Sequence, residues 1–242
     1  MELGLAVVKT KLRKLLRRWL VERFDVPEIP RALARLKTQG LRPRVIYDVG
    51  AYRGDFALTC LDIWPEANIV CFEPLPHRIP DLKKLARRWP SITVDPTLLG
   101  AAERDAVQLF TAETASSVLV ETAAPQQKSV FCRQTTIDAV SARMGEFADL
   151  IKIDVQGYEL EVLKGATAAL PHAAAILAEI NLLDIHCDVP LLADIVGWLS
   201  DHGFVTFEIC GLARRPLDKA MWQADFVFVP TNSPLRADKR YR

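Results

Sequence analysis

The chain has 242 residues, half of them apolar, with 31 basic and 30 acidic side chains and a formal net charge of +1. That size and apolar content suit one main domain with a large buried sheet, and the near-neutral charge excludes the strong field of a dedicated nucleic-acid binder. Five scattered cysteines, none in a CxxC arrangement, argue against a disulfide framework and a zinc site, and no apolar run reaches the roughly 18 residues of a bilayer span. A soluble, cytoplasmic protein is therefore expected.

In chain order, residues 1–40 read as a helical extension and 41–242 as the main domain. Leu5, Val8, Leu12, Leu15, Leu16, Trp19 and Leu20 recur at helical spacing, and between Lys9 and Arg23 seven basic residues face the single acid Glu22. This basic amphipathic helix fits packing on the domain or on a second subunit, or peripheral contact of residues 1–24 with an anionic membrane surface. Pro27 and Pro30 end it, and a short helix around Ala32 to Lys37 runs to Gly40.

From Arg44 the pattern becomes strand, turn, helix, strand. Val45 to Val49 is a strand closed by Gly50, Asp55 to Ile63 a helix, and Ile69 to Phe72 the next strand. Pro76 to Arg88 reads as a helix and Ile92 to Val94 as a third strand. Helical periodicity then lapses: Val107 to Thr111 and Val130 to Thr135 look like strands of an insertion or edge around a polar loop with Ser116 and Ser117. The alternation resumes with a strand at Leu150 to Val155, a helix from Tyr158 to Leu170, a strand from Ala175 to Ile180 and a helix from Pro190 to His202. Strands at Phe204 to Ile209 and Asp225 to Val229 close the chain. The expected fold class is α/β and Rossmann-like: a mostly parallel sheet with helices on both faces.

Asp48-Val49-Gly50-Ala51-Tyr52-Arg53-Gly54 occupies the first strand-to-helix turn, where glycines let the backbone approach a ligand. Phe72-Glu73-Pro74 puts an acid at the end of the second strand, 23 positions after Gly50, near the spacing at which a carboxylate binds a ribose diol. The turn lacks GxGxxG spacing, and Asp48 would repel a pyrophosphate but attract a cationic ligand, so S-adenosylmethionine suits it better than a dinucleotide. Asp48, Gly50, Ala51, Gly54, Glu73 and Pro74 are the candidate cofactor residues. Another Rossmann-type nucleotide-cofactor enzyme and a non-catalytic cofactor-binding protein are the alternatives.

Ile151-Lys152-Ile153-Asp154 aims Asp154 at the crevice outside the strand ends, as a cofactor contact and candidate base. Strand alternation puts Lys152 on the same side, where it needs a partner, for which Glu179 on the adjacent strand is the expectation. Glu179 and His186 are the other candidate bases. Asp154, Glu179 and Asn181 also make an oxygen set of the kind Mg²⁺ prefers, but strand-end acids more often serve cofactors or structure, so no metal is expected.

Asp48-Val49-Gly50-Ala51, Phe72-Glu73-Pro74, Ser116-Ser117, Thr136-Ile137-Asp138 and the run Leu150 to Glu159, followed by Val162-Leu163-Lys164-Gly165-Ala166, resemble the FkbM family of methyltransferases. The similarity spans about Arg44 to Val229. It implies a class I methyltransferase fold, S-adenosylmethionine as methyl donor, and oxygen acceptors on saccharides, glycans or natural products; a lipid-linked sugar is the acceptor that membrane contact of residues 1–24 would suit. Ser116 and Ser117 enter as acceptor-pocket candidates through this resemblance alone. Two departures stand out: Tyr52-Arg53 where the family usually has an asparagine and a variable residue, and Gln156 where a glutamate is usual.

Overall fold

The computed structural model describes residues 16, 19, 23–111, 116–120 and 128–241; most of the basic N-terminal helix expected from the sequence lies outside them. Helix α1 (Ile29–Thr38) has Pro30 in its first turn, where the missing N–H costs nothing. Its Ala32, Leu33 and Leu36 are fully buried, and each leucine contributes ~1.5–3 kcal/mol by leaving water. Arg35 at its end pairs with Glu208.

The main sheet takes β1 (Val45–Val49), β2 (Asn68–Phe72), β3 (Ile92–Asp95), β7 (Leu150–Ile153), β8 (Ala175–Asn181), β9 (Phe204–Arg214) and β10 (Met221–Pro230), in the spatial order β3-β2-β1-β7-β8-β10-β9. The first five are mutually parallel, and β10 runs antiparallel to both β8 and β9. Every residue of β1 and β7 is buried, as strands covered on both faces require. Residues of alternate parity serve two cores. Tyr47, Val49, Ile151, Ile153, Ile176 and Ala178 pack with helices α4 (Ile137–Met144), α5 (Glu159–Lys164) and α6 (Leu192–Asp201). Ile46, Ile69, Leu150 and Leu177 pack with α1, α2 (Asp55–Ile63) and α3 (Ile79–Arg88). This is the doubly wound, mostly parallel architecture expected.

The region read as an insertion or edge forms a separate three-stranded sheet in the order β4-β6-β5, from β4 (Leu98–Leu99), β5 (Arg104–Phe110) and β6 (Ser129–Thr135). Other departures have local causes. Thr136-Ile137-Asp138 opens helix α4: Thr136 Oγ1 accepts from the Ala139 amide at 3.0 Å, and left-handed Gly145 stops the helix. The helix expected to Leu170 ends at Lys164, and Gly165 beyond it lies against the Gly100 carbonyl, where a Cβ would come within 2.1 Å. The final hairpin is longer than expected and bulged, with Gly211 seating the Asp225 carboxylate. No helix among the described residues is long and apolar enough to cross a membrane.

Candidate active site

Strand order reverses between β1 and β7, since the chain builds outward from β1 to β3 and then returns to β7 beside β1. Ligands of open α/β sheets bind outside the carboxyl ends of the strands at such a point. A cleft opens there. Gly50, Tyr52, Glu73 and Pro74 form one wall, Asp154, Val155, Gln156 and Tyr158 the other, and Leu75, Leu98, Leu99, Leu109 and Val118 an apolar lining.

Gly50 is the tightest contact of this site. Its φ is +78°, and a Cβ would stand 1.9 Å from the Asp154 carbonyl oxygen, so β1 and β7 approach this closely only over a glycine. The amides of Gly50 and Ala51 both donate to the Phe72 carbonyl at 3.0 Å, and the Gly54 amide donates to Ala51. The expectation that the glycines free these amides for a ligand is thus corrected: the turn uses them to close on itself. Ala51 and Gly54 are buried behind the cleft rather than lining it.

Glu73 does line the cleft. Its Oε2 accepts from the Tyr52 amide at 2.8 Å and its Oε1 from the Leu75 amide at 3.0 Å, which fixes the carboxyl and leaves one lone pair on each oxygen. Burial pushes its pKa above the ordinary glutamate value, and the two amides oppose that shift. Tyr52 sits on the rim with φ +49°; the Arg78 guanidinium lies 4.1 Å from its ring centroid and donates to its hydroxyl at 2.9 Å.

Lys152 takes a different partner from the one expected. The β1–β7 register sets it beside Asp48, whereas Leu177 is its neighbour on β8. Its Nζ lies 3.2 Å from Asp48 Oδ1, 3.3 Å from Asp154 Oδ2 and 2.9 Å from the Gly50 carbonyl oxygen. Burial works against its charge, but Asp154 and Asp48 outweigh it and hold its pKa above the ordinary lysine value. Asp48, read from the sequence as a cofactor contact, is 0 % exposed and serves as counter-ion beneath the turn.

Asp154 reaches the cleft, a third of its side chain exposed. Glu179 stands behind it, joined through the Gln156 side-chain amide, which donates to Asp154 Oδ1 at 2.9 Å and Glu179 Oε2 at 2.6 Å. Burial first, then the nearby Asp154 and Asp225, pushes Glu179 up to about 10. Asp225 itself is raised to about 6 by burial, with Asp154 adding to it. Among the described residues no group of three or more His, Cys, Asp or Glu is arranged to hold a metal ion, and Asn181 Oδ1 accepts from Gln223 instead.

Of the two serines, Ser116 lines the cleft. Ser117 is 2 % exposed, donates from Oγ to the Gln156 carbonyl at 2.7 Å and accepts from the Leu119 amide, so it clasps the 116–120 segment to the β7 turn. His186 is buried in the segment after β8 and does not line the cleft. Sequence reasoning noted Gln156 as a departure from the family pattern without giving it a site role, and passed over Asp225. Gln156 was within local reach, two positions after the strand-end Asp154, but Asp225 comes from an antiparallel strand whose register no local pattern announces.

A protein-family model described as the Methyltransferase FkbM domain matches residues 48–206. Hexuronic acid methyltransferase AglP of Haloferax volcanii is 28% identical over 137 residues, 57% of this chain and 56% of that protein. The chain thus spans about half the length of this curated relative. The crystal structure of methyltransferase FkbM from Methylobacillus flagellatus superposes with a TM-score of 0.55 at 18% identity, covering 85% of this chain and 50% of that one. Magnesium protoporphyrin IX methyltransferase from Synechocystis, solved with bound SAM, gives 0.51 at 11% identity over 84% and 76% of the two chains. These two likenesses establish the fold: class I, Rossmann-like.

Proposed function

The chain belongs to the FkbM methyltransferase domain family, and from that membership we propose that it transfers a methyl group from S-adenosylmethionine to a hydroxyl of a saccharide. The observation that carries the reading is the pairing of Glu73 and Asp154 across one cleft at the sheet's switch point. Glu73 has one open lone pair on each oxygen, the complement of the two hydroxyls of a ribose. Leu75, Leu98, Leu99 and Val118 supply the apolar surface an adenine ring needs. The donor set therefore fits the cofactor, and its sulfonium would find the Asp154 carboxylate on the facing wall.

S-adenosylmethionine, when bound, supplies a methyl group on a positively charged sulfur and departs as the neutral thioether. The chain's own residues then have two tasks. The cleft walls hold the acceptor oxygen in line with the methyl carbon, at ~3–3.5 Å, where most of the catalytic gain of a displacement arises. Asp154 accepts a hydrogen bond from the acceptor hydroxyl and receives its proton as the oxygen uses a lone pair to form the new O–C bond, a contribution of ~10²–10⁴ in rate. A saccharide acceptor is supported by the name of the Haloferax volcanii relative, a hexuronic acid methyltransferase.

Calorimetry with S-adenosylhomocysteine on the wild type and on Glu73→Ala tests the cofactor. Binding weakened at least ~10-fold by the substitution is expected, the loss of one or two charge-assisted hydrogen bonds. Methyl transfer to a panel of uronic acids and neutral sugars then tests the acceptor. A folded wild type that binds no adenosyl ligand would remove this reading.

A further inference from the structure

Gln156 has a left-handed backbone, φ +57°, and its carbonyl is tied down by Ser117 Oγ at 2.7 Å. Its side chain is held as firmly, with one nitrogen donating to two carboxylates. The nitrogen must be the atom facing them, because an amide oxygen there would require a proton on each. Asp154 then meets donors on both oxygens: Gln156 on Oδ1 and the Lys152 ammonium near Oδ2. Glu179 meets one donor, on Oε2, and no salt bridge reaches it among the described residues. Around it stand the carboxyls of Asp154 just after β7, Asp225 on β10 and Glu159 on α5. Asp154, by contrast, shares Lys152 with Asp48 on β1.

Two carboxylates bridged by one amide group repel each other, and the one holding the cation keeps its charge. Resting on the methyl-transfer reading above, we infer that the arrangement of Lys152, Asp154, Gln156 and Glu179 sorts this pair, with Gln156 the positioning residue that ties the two carboxyls together. It sets Asp154, beside the Lys152 ammonium, toward the acceptor hydroxyl and leaves the proton of the pair on Glu179. Glu179 is then no base: it is a neutral hydrogen-bond donor whose proton keeps a second negative charge away from Asp154. The upward displacement of the Glu179 titration to about 10, by burial and by Asp154 and Asp225, agrees with a proton retained at neutral pH. A glutamate at 156 would put a third carboxyl on the same pair, adding a negative charge beside it in place of a hydrogen-bond donor.

The first arm reads the pair without substrate. Infrared spectra of wild type and Glu179→Gln, recorded at about pH 8.5 where Glu159, pushed up to about 7, is mostly ionised, should differ by one un-ionised carboxyl C=O band. The second arm reads its consequence. In Gln156→Glu the acid limb of the kcat–pH profile for methyl transfer should move up by at least ~1 unit, a tenfold loss of rate below the limb. Gln156→Met, which removes the amide donor without adding charge, should move it in the same direction. Absence of the band, or a limb unmoved in both Gln156 variants, overturns the inference. Loss of adenosyl binding in the wild type would instead remove the methyl-transfer reading, and the infrared band would still decide the state of the pair.

Discussion

Gly50→Ala tests the packing on which the site is built. Two costs fall together at this position. The first is conformational: alanine at φ +78° gives up ~1–2 kcal/mol relative to glycine. The second is steric. The new Cβ would stand 1.9 Å from the Asp154 carbonyl oxygen and 3.0 Å from its carbon, both backbone atoms, so no side-chain rotation relieves the contact. Forcing the strands apart costs a further ~1–3 kcal/mol by the usual scale of overpacking. Gly145→Ala isolates the first cost, because Gly145 has φ +73° and nothing within 4 Å of an added Cβ. Urea denaturation followed by circular dichroism should show ~1–2 kcal/mol lost in Gly145→Ala and ~2–5 kcal/mol in Gly50→Ala. At ~2–4 °C per kcal/mol for a chain this size, the melting temperatures should separate visibly. Gly54→Ala should fall between, since the atom nearest its Cβ, at 2.5 Å, is Leu85 Cδ2, the movable end of a side chain. Equal destabilisation of Gly50→Ala and Gly145→Ala would refute the claim that strand approach is what requires glycine at the turn.

Further outcomes follow from the buried charges. Lys152→Met should cost ~3–5 kcal/mol in urea denaturation, because it leaves Asp48 buried without its counter-ion. The double variant Asp48→Asn/Lys152→Met should recover part of that loss; additive losses would argue against a direct pair. Glu159 accepts from the Val155 and Gly157 amides through Oε1, and burial raises its pKa from 4.5 to about 7. A raised carboxyl binds more protons folded than unfolded, so its contribution to stability is fully present below about 4.5 and declines as pH rises toward about 7. Glu159→Gln keeps the amide contacts without the titration, and its stability relative to wild type should rise by ~1–3 kcal/mol between about pH 5 and 8. A melting-temperature difference independent of pH would contradict that.

The strand and helix sequence from Arg44 onward was legible because its signals are local. Continuous β-branched runs mark buried parallel strands, and Gly50, Glu73 and Asp154 each fall where such a run ends. The family resemblance rests on the same strand ends. The α4 helix carried local signals too, in Thr136 before Ile137 and Val140 with Gly145 as its stop, though no helix was read there. What no local pattern could supply is the partner of a buried charge. Lys152 has acids within reach on either neighbouring strand, and register alone decides: β1 brings Asp48 level with it and β8 brings Leu177. The same register takes Asp48 away from the cleft and leaves Glu73 and Asp154 lining it.

The sequence by itself determined the doubly wound fold, the position of the first strand-to-helix turn and the two acids that face across the cleft, since each depends on residues a few positions apart. Only the tertiary structure decided that Gln156 bridges Asp154 to Glu179, that Asp225 stands beside them and that Ser117 clasps rather than lines the pocket. Those groups come from β7, β8, β10 and the loop after β5. Their charges and hydrogen bonds act over distances of a few ångströms, which chain spacing does not report and strand pairing does.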